Sequence, residues 1–276
     1  MILPLVCCLA VELGISADEF LMDTVESQVL ILGRQPYRET SHLLQVLCAQ
    51  EGRVSLVARG LSSPKASGRW LGALAPLSLS RVAYRIRSGA DIGTVTEAEL
   101  VEGWPNLRSN LEAFAWACFS LQVVSRSSLA RADCSVVFGQ LIEMLHFFNA
   151  GHFRGQIRRL VSFQENLARE LGLSLGLDSC QVCSVRSGLD FVRLTGTGNP
   201  GAVCGRCALP SADYFPWIFP GKFMGRGTAS MDWSYRNLAL VVPALWERLL
   251  GEGLDSAEFL RQVVLPWPHL RPTKLQ

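Results

Sequence analysis

The stretch Gln28-Val-Leu-Ile-Leu-Gly-Arg-Gln-Pro-Tyr-Arg-Glu-Thr-Ser-His-Leu-Leu-Gln-Val-Leu-Cys-Ala-Gln-Glu-Gly-Arg-Val-Ser-Leu-Val-Ala-Arg59 decides how the first part of the chain folds. Gln28 to Leu32 is a short apolar run ending at Gly33, the pattern of a buried strand. Arg34 to Ser41 reads as a loop punctuated by Pro36. His42 to Ala49 is a second strand, and Gln50-Glu-Gly-Arg53 is a hairpin turn in which Gly52 supplies positive φ. Arg53 to Arg59 alternates as a third strand.

Working outward, Gly60 to Gly72 is a long loop of small residues that carries Lys65 and Arg69. Leu77 to Arg87 is a fourth strand. Its apolar phase shifts from Leu77 and Leu79 to Val82, Tyr84 and Ile86, which predicts a bulge near Ser80. Asp91 to Thr96 is a fifth. Five short strands with one long basic loop fit a small Greek-key barrel of the OB type, and an SH3-like barrel has a similar pattern.

The period then becomes helical. Pro105 opens a helix with Leu107, Leu111, Phe114, Cys118 and Leu121 on one face. Asp133 is placed to cap the next helix, with Val137, Phe138, Leu141, Leu145 and Phe148 inside and Gly151 just past its end. A third carries Phe153, Ile157, Leu160, Val161, Leu167 and Leu171 and stops at Gly172. Tyr235 to Leu250 and Asp255 to Leu265 resume the pattern, and Pro266 and Pro268 end it. Trp104, Phe114, Phe147 and Phe148 are core candidates. The fold class expected is α+β: an OB-like barrel at 24–100, then a helical domain at 101–276. Residues 1–23 are expected to be peripheral. Met1 to Val11 is apolar without a basic start, so it reads as a signal-like segment, a buried strand or an extension from an upstream start, with Met22 as the expected natural beginning.

Inside the helical part lies Cys180-Gln-Val-Cys183 … Cys204-Gly-Arg-Cys207. Each pair is spaced for a knuckle, and two knuckles present four thiolates to one tetrahedral Zn2+ at about 2.3 Å. Gly188 and Gly205 suit tight turns beside them. The alternatives are disulfides or buried free thiols. Four thiolates leave no open position for water, so the expected ion is structural. The module is expected to occupy about 176–210.

The chain has 276 residues, 49% of them hydrophobic, and nine cysteines. That is enough for a sizeable core. An odd cysteine count beside a zinc-type motif favours a reducing, cytoplasmic setting. No stretch reaches the roughly 18 apolar residues of a membrane span. The formal net charge of +2 is unevenly spread. From Thr24 to Thr96 nine basic residues face four acids, a net +5, and the remainder carries −3. A basic module joined to a mildly acidic one points to a polyanion partner, against the plainer reading of a solvated arginine-rich surface. Arg34, Arg38, Arg59, Lys65 and Arg69 fall in or beside predicted loops where a nucleic acid strand can reach them. Tyr37 is either a stacking platform or a rim anchor. Arg154, Arg158 and Arg159 form a second basic group.

Catalytic constellations are missing from the sequence pattern. There is no P-loop. Thr195-Gly-Thr-Gly198 has no helix following it as a dinucleotide site requires. His42, His146, His152 and His269 have no acid or thiol at triad spacing, and Glu97, Glu99 and Glu102 read as a solvated edge. No catalytic residue is assigned, and a binding role is expected.

The order of these parts, a basic barrel, then helices, then an inserted four-cysteine module, resembles the RecO family of recombination mediators. Val29 to Leu43 resembles the family's opening strand and turn. Gly52-Arg-Val-Ser-Leu-Val-Ala-Arg-Gly60 resembles its next strand and the glycine entering the basic loop. Leu74-Ala-Pro-Leu77 and Thr96-Glu-Ala-Glu99 fall where the family has similar words, and the cysteine pairs sit where zinc-binding members carry them. The segment Ser62 to Arg69 carries fewer positive charges than many relatives have there, and the tail from Pro266 is proline-rich. The resemblance implies a cytoplasmic, nucleoid-associated DNA repair and recombination mediator. Such a protein binds single- and double-stranded DNA, anneals complementary strands and, with RecR, loads RecA onto DNA coated by SSB, whose acidic tail docks on the helical domain. No nucleotide is hydrolysed. The competing reading is an OB barrel with a zinc knuckle that binds RNA or protein in another setting.

Overall fold

The structure, a computed structural model, describes residues 22–62, 70–87, 89–127, 133–151, 157–194, 200–208, 214–216 and 228–265. The described residues divide into two compact units: 22–103 with 133–138, and 104–127 with 139–265.

The first unit is a closed five-stranded barrel in the order β1-β2-β3-β5-β4. The strands are β1 (Met22–Tyr37), β2 (Ser41–Cys48), β3 (Gly52–Ala58), β4 (Leu79–Arg87) and β5 (Ile92–Glu102). This is the OB-type barrel expected from the pattern. β1 serves two neighbours. Its first half pairs with β4 from Met22 to Leu30, and its second half pairs with β2 from Val29 to Tyr37, with a bulge between Ile31 and Gly33. Bulges bend a strand and strengthen its twist, which is what a small barrel needs at this changeover. A second irregularity lies at Leu79/Ser80, where the apolar phase shift placed it.

The barrel closes through a short parallel contact, Ser55–Val57 against Ile92–Thr94. Gly93 makes that possible. A Cβ there would lie 2.9 Å from Leu56 Cδ2 and 3.1 Å from Tyr84 Cδ2. The interior is filled by Val29, Ile31, Leu44, Val46, Leu56, Val82, Tyr84 and Val95. The Tyr84 hydroxyl donates to Glu51 at 2.5 Å, which satisfies the polar tip of this fully buried ring. Burial holds the Tyr84 phenol well above its usual range, and burial pushes the Cys48 thiol beside it up to about 12.

Several boundaries differ from expectation. Arg34–Tyr37 belongs to β1, and only residues 38–40 form the turn, with Arg38 at φ 57. Pro36 is tolerated because β1 has already left β4 there; among the described residues that edge carries no strand. β5 runs on to Glu102 and absorbs Glu97 and Glu99. The helix opened by Pro105 is two: α1 (Pro105–Ser109) and α2 (Leu111–Arg126). Asn110 leaves helical geometry at φ −108, ψ 103, and its side chain accepts the Ala113 N–H at 3.1 Å. An asparagine cap stabilises a helix start by about 1 kcal/mol, which here outweighs continuing the earlier period. Leu111 consequently faces solvent.

Four further helices follow, α3 (Ser135–Asn149), α4 (Ile157–Glu170), α5 (Thr228–Leu250) and α6 (Asp255–Val264); all but the first four residues of α3 fall in the second unit. Asp133 accepts the Ser135 N–H at 2.9 Å, as its capping role requires, and Gly151 and Gly172 take positive φ just past α3 and α4. Trp104, Phe147 and Phe148 are buried, whereas Phe114 is half-buried. The largest buried polar side chain among the described residues is a glutamine. Gln164 is fully buried, donating to Ser120 Oγ at 3.1 Å and accepting from the Trp246 indole at 2.9 Å. Between α4 and α5 sits a three-stranded sheet of order β7-β6-β8: β6 (Leu189–Arg193), β7 (Gly201–Cys204) and β8 (Tyr214–Pro216). Among the described residues no helix is long and apolar enough to cross a membrane. Residues 1–21, the loop with Lys65 and Arg69, Phe153, Arg154, the Thr195–Gly198 glycines and the prolines of the tail lie outside the described residues.

Candidate nucleic-acid interface and metal centre

Two features of the structure bear on function: an arginine group on the barrel and the cysteine module. The β1–β2 hairpin is narrow, with Tyr37 paired to Ser41. Its three-residue turn puts Arg38 in the left-handed region and lays its guanidinium over the Tyr37 ring, 5.4 Å from the centroid. Tyr37 is half-buried, so the ring serves as a shelf for a cation while keeping one face in the hairpin. Arg34 projects from β1 opposite Leu44, and Arg59 follows the last residue of β3; both are exposed. β2 lies between these two strands, with Leu44 paired to both Arg34 and Leu56. Three of the five arginine and lysine candidates thus come from β1, the turn that follows it and the end of β3. Lys65 and Arg69 are outside the described residues.

The charge reverses elsewhere on the barrel. Arg81 in β4 is flanked by Glu26 on β1 (3.7 Å) and Glu99 on β5 (3.2 Å), with exposed Glu97 nearby. These pairs are exposed and add little stability. They do leave Arg81 paired with carboxylates, so that stretch carries little free positive charge.

In the cysteine module the first knuckle is closed by Ser184 N–H donating to Cys180 O at 2.8 Å, with Ser184 at φ 60, and by Cys180 N–H donating to Val185 O at 2.8 Å. The second is closed by Cys207 N–H and Ala208 N–H, both donating to Cys204 O. β6 and β7 pair behind the knuckles, and Gln181 N–H donates to Ala202 O at 2.9 Å to tie one knuckle to the other's strand. The Sγ atoms of Cys180, Cys183, Cys204 and Cys207 all lie within 4.8 Å of one another, and Cys183 and Cys204 are 3.7 Å apart. A tetrahedron with metal–sulfur bonds of about 2.3 Å has edges of about 3.8 Å, so the four can hold one metal ion.

Taken by themselves the four thiols ionise unequally. Burial opposes ionisation of Cys180, but backbone N–H groups of Cys204, Cys183 and Val182 overcome it and bring the thiol down to about 6. Cys204 is lowered against its burial by the Cys207 and Arg206 amides. Cys207, hydrogen-bonded to Cys183 and Cys204, is pushed up to about 12. The backbone is therefore arranged around negative sulfur, which is what a metal ligand must be.

Two features escaped the sequence reading. In the second basic group, Arg159 stands over the Phe147 ring at 4.9 Å, in a groove between α3 and α4 lined also by Met144, Phe163 and Asn166. His42, read as an isolated histidine, is in fact next to Ser62 Oγ, 3.4 Å from its Nδ1. Only the folded hairpin brings those two together.

A closed five-stranded barrel followed by helices that carry a four-cysteine module defines an OB-barrel protein with an inserted metal-type module. The comparisons with known proteins agree. Residues 22–104 match the family described as Recombination protein O N terminal, and residues 108–218 match Recombination protein O C terminal. A DNA repair protein RecO from Anaeromyxobacter sp. (strain K) is 30% identical over 187 residues, covering 68% of this chain and 72% of that one. One from Geobacter metallireducens is 27% identical over 251 residues, covering 88% and 99%. The RecO protein of Bacillus cytotoxicus is 22% identical over 245 residues. The chain belongs to the RecO family, a family of DNA repair and recombination proteins.

Proposed function

We propose that the protein is a homologous-recombination mediator that binds single- and double-stranded DNA on the hairpin side of its barrel and anneals complementary strands. The observation that carries this reading is the exposure of Arg34, Arg38 and Arg59 on β1, in the turn after it and at the end of β3, the two strands that flank β2, with Arg81 neutralised elsewhere. Annealing brings two polyanions together. It needs cations to displace counterions and a surface that leaves bases accessible, and it needs no bond to be broken, so the role is not enzymatic. Tyr37 and Arg38 offer a stacking surface for unpaired bases, and Arg34, Arg59, Lys65 and Arg69 offer phosphate contacts.

With RecR, the protein helps load RecA onto DNA coated by SSB. The groove beside Arg159 fits an acidic peptide ending in an aromatic residue, such as the SSB tail: the arginine meets carboxylates, and Phe147, Met144 and Phe163 meet the ring. One structural Zn2+ held by Cys180, Cys183, Cys204 and Cys207 fixes the inserted module; with four thiolates it has no open position, so it orients the surrounding loops. The setting is the reducing cytoplasm, at the nucleoid.

The test is annealing of two complementary DNA strands at low and at physiological salt, bare and coated with SSB. Acceleration that persists on coated strands supports the reading. A folded, metal-loaded protein that accelerates neither contradicts it and favours an RNA- or protein-binding module, for which annealing of RNA is the next comparison.

A further inference from the structure

Where the β1–β2 hairpin meets the chain leaving β3, two polar side chains are held together. Leu61 is 2% exposed and anchors in the barrel core. Ser62 follows it, and its N–H donates to Thr40 O in the hairpin turn at 3.1 Å. That bond sets Ser62 Oγ 3.4 Å from Nδ1 of His42. His42 pairs with Pro36 of β1 on one side and Ala58 of β3 on the other, so it sits between the strand of Arg34 and the strand that leads into Arg59. The charged groups on the elements around it are Arg34 on β1, Arg38 and Glu39 in the turn, and Arg59 after β3. Of these, Arg34 is the charge that acts on the imidazole. In sequence, Lys65 and Arg69 follow three and seven residues after Ser62.

We infer that His42, oriented by Ser62, is a further phosphate-binding residue of the barrel, on the strand between that of Arg34 and the one leading into Arg59. This rests on the DNA-binding reading above and extends it to an imidazole, whose charge depends on pH. Nδ1 is turned to Ser62, which leaves Nε2 for a ligand, and a phosphate oxygen accepts from it. The surroundings set the sign of the pH dependence. In the free protein burial, and then Arg34, hold the imidazole below its ordinary value and favour the neutral form. A phosphate brought between His42 and the arginines reverses the local field and favours the imidazolium. The bound value therefore lies above the free one, and binding takes up a proton. The extra affinity is complete below the free value and is lost as pH rises through the bound one.

The experiment compares the affinity of the full chain for oligo-thymidylate carrying a pH-insensitive dye, at about pH 6 and about pH 8, in wild type, His42→Gln and His42→Lys. Thymine does not titrate in this range, and the other histidines are common to all three proteins. The wild-type ratio of the two affinities is expected to exceed that of either variant by about threefold or more, the scale of one added phosphate contact. His42→Lys, with its fixed charge, is expected to bind more tightly than His42→Gln at the higher pH. Equal ratios in all three proteins overturn the inference while leaving wild-type DNA binding intact. No wild-type binding at either pH overturns the mediator reading, and this one with it.

Discussion

Gly201 lies so close to Gly176 that a methyl group on its α-carbon would sit 2.5 Å from the Gly176 carbonyl oxygen. That carbonyl accepts the Ala202 N–H at 2.8 Å and the Gln181 side-chain amide at 3.2 Å. The contact thus clamps the strand leading to Cys204 onto the segment leading to Cys180. Both glycines have positive φ, 65 and 134. Gly201→Ala is expected to destabilise the module by about 3 kcal/mol, from steric overlap and backbone strain together. The check is loss of bound metal to a competing chelator at a lower concentration than wild type requires. Retention equal to wild type would show that the clamp is not what holds the knuckles in register.

Metal retention should also follow pH in a defined direction. The folded Cys180 thiol is brought from the ordinary value of 9.0 down to about 6. A lowered acid contributes stability that is complete above its unfolded value, declines as pH falls, and is gone below its folded value. Protons compete with the metal for the same sulfur. Metal release, followed with a colorimetric chelator, is expected to be slight at about pH 8 and to become extensive only below about pH 6, because bound metal holds the thiolate against protonation. Release that does not change across this range would contradict a thiolate site.

Arg38 is a side-chain-bearing residue in a conformation that favours glycine. At φ 57 it costs about 1 kcal/mol relative to the right-handed region. Arg38→Gly removes that strain and the cation together. Its melting temperature is expected to equal or exceed that of wild type, while its affinity for single-stranded DNA falls. A variant that melts earlier and binds normally would assign Arg38 to the hairpin's stability alone.

The parts that were legible in the sequence are those whose signal is local. The cysteine pairs, the Gly52 hairpin, the bulge at Ser80 and the Asp133 cap each depend on residues a few positions apart. The barrel's closure does not. Gly93 reads as one more turn glycine, and only the approach of Leu56 and Tyr84 shows why it carries no side chain. Asn110 fits the helical period but competes with it by capping. Gln164 looks like a surface position until Ser120 and Trp246, far along the chain, satisfy its amide. Of the candidate interface, Arg34, Arg38 and Arg59 were singled out by charge, and the structure places them on β1, in the turn after it and at the end of β3. Pro36 disguised a strand as a loop, and the pairing of His42 with Ser62, twenty residues later, had no local signature.

The central claim is that the hairpin side of the barrel holds DNA through its arginines. The most direct test is the salt dependence of single-stranded DNA affinity in wild type and in Arg34→Ala/Arg38→Ala. Each lost phosphate contact lowers the slope of log affinity against log salt by about 0.7 to 1. The double variant is predicted to bind more weakly at low salt, with a slope smaller by about 1.4 to 2. An unchanged slope, with the variant folded and metal-loaded, would contradict the account and move the DNA site elsewhere on the protein.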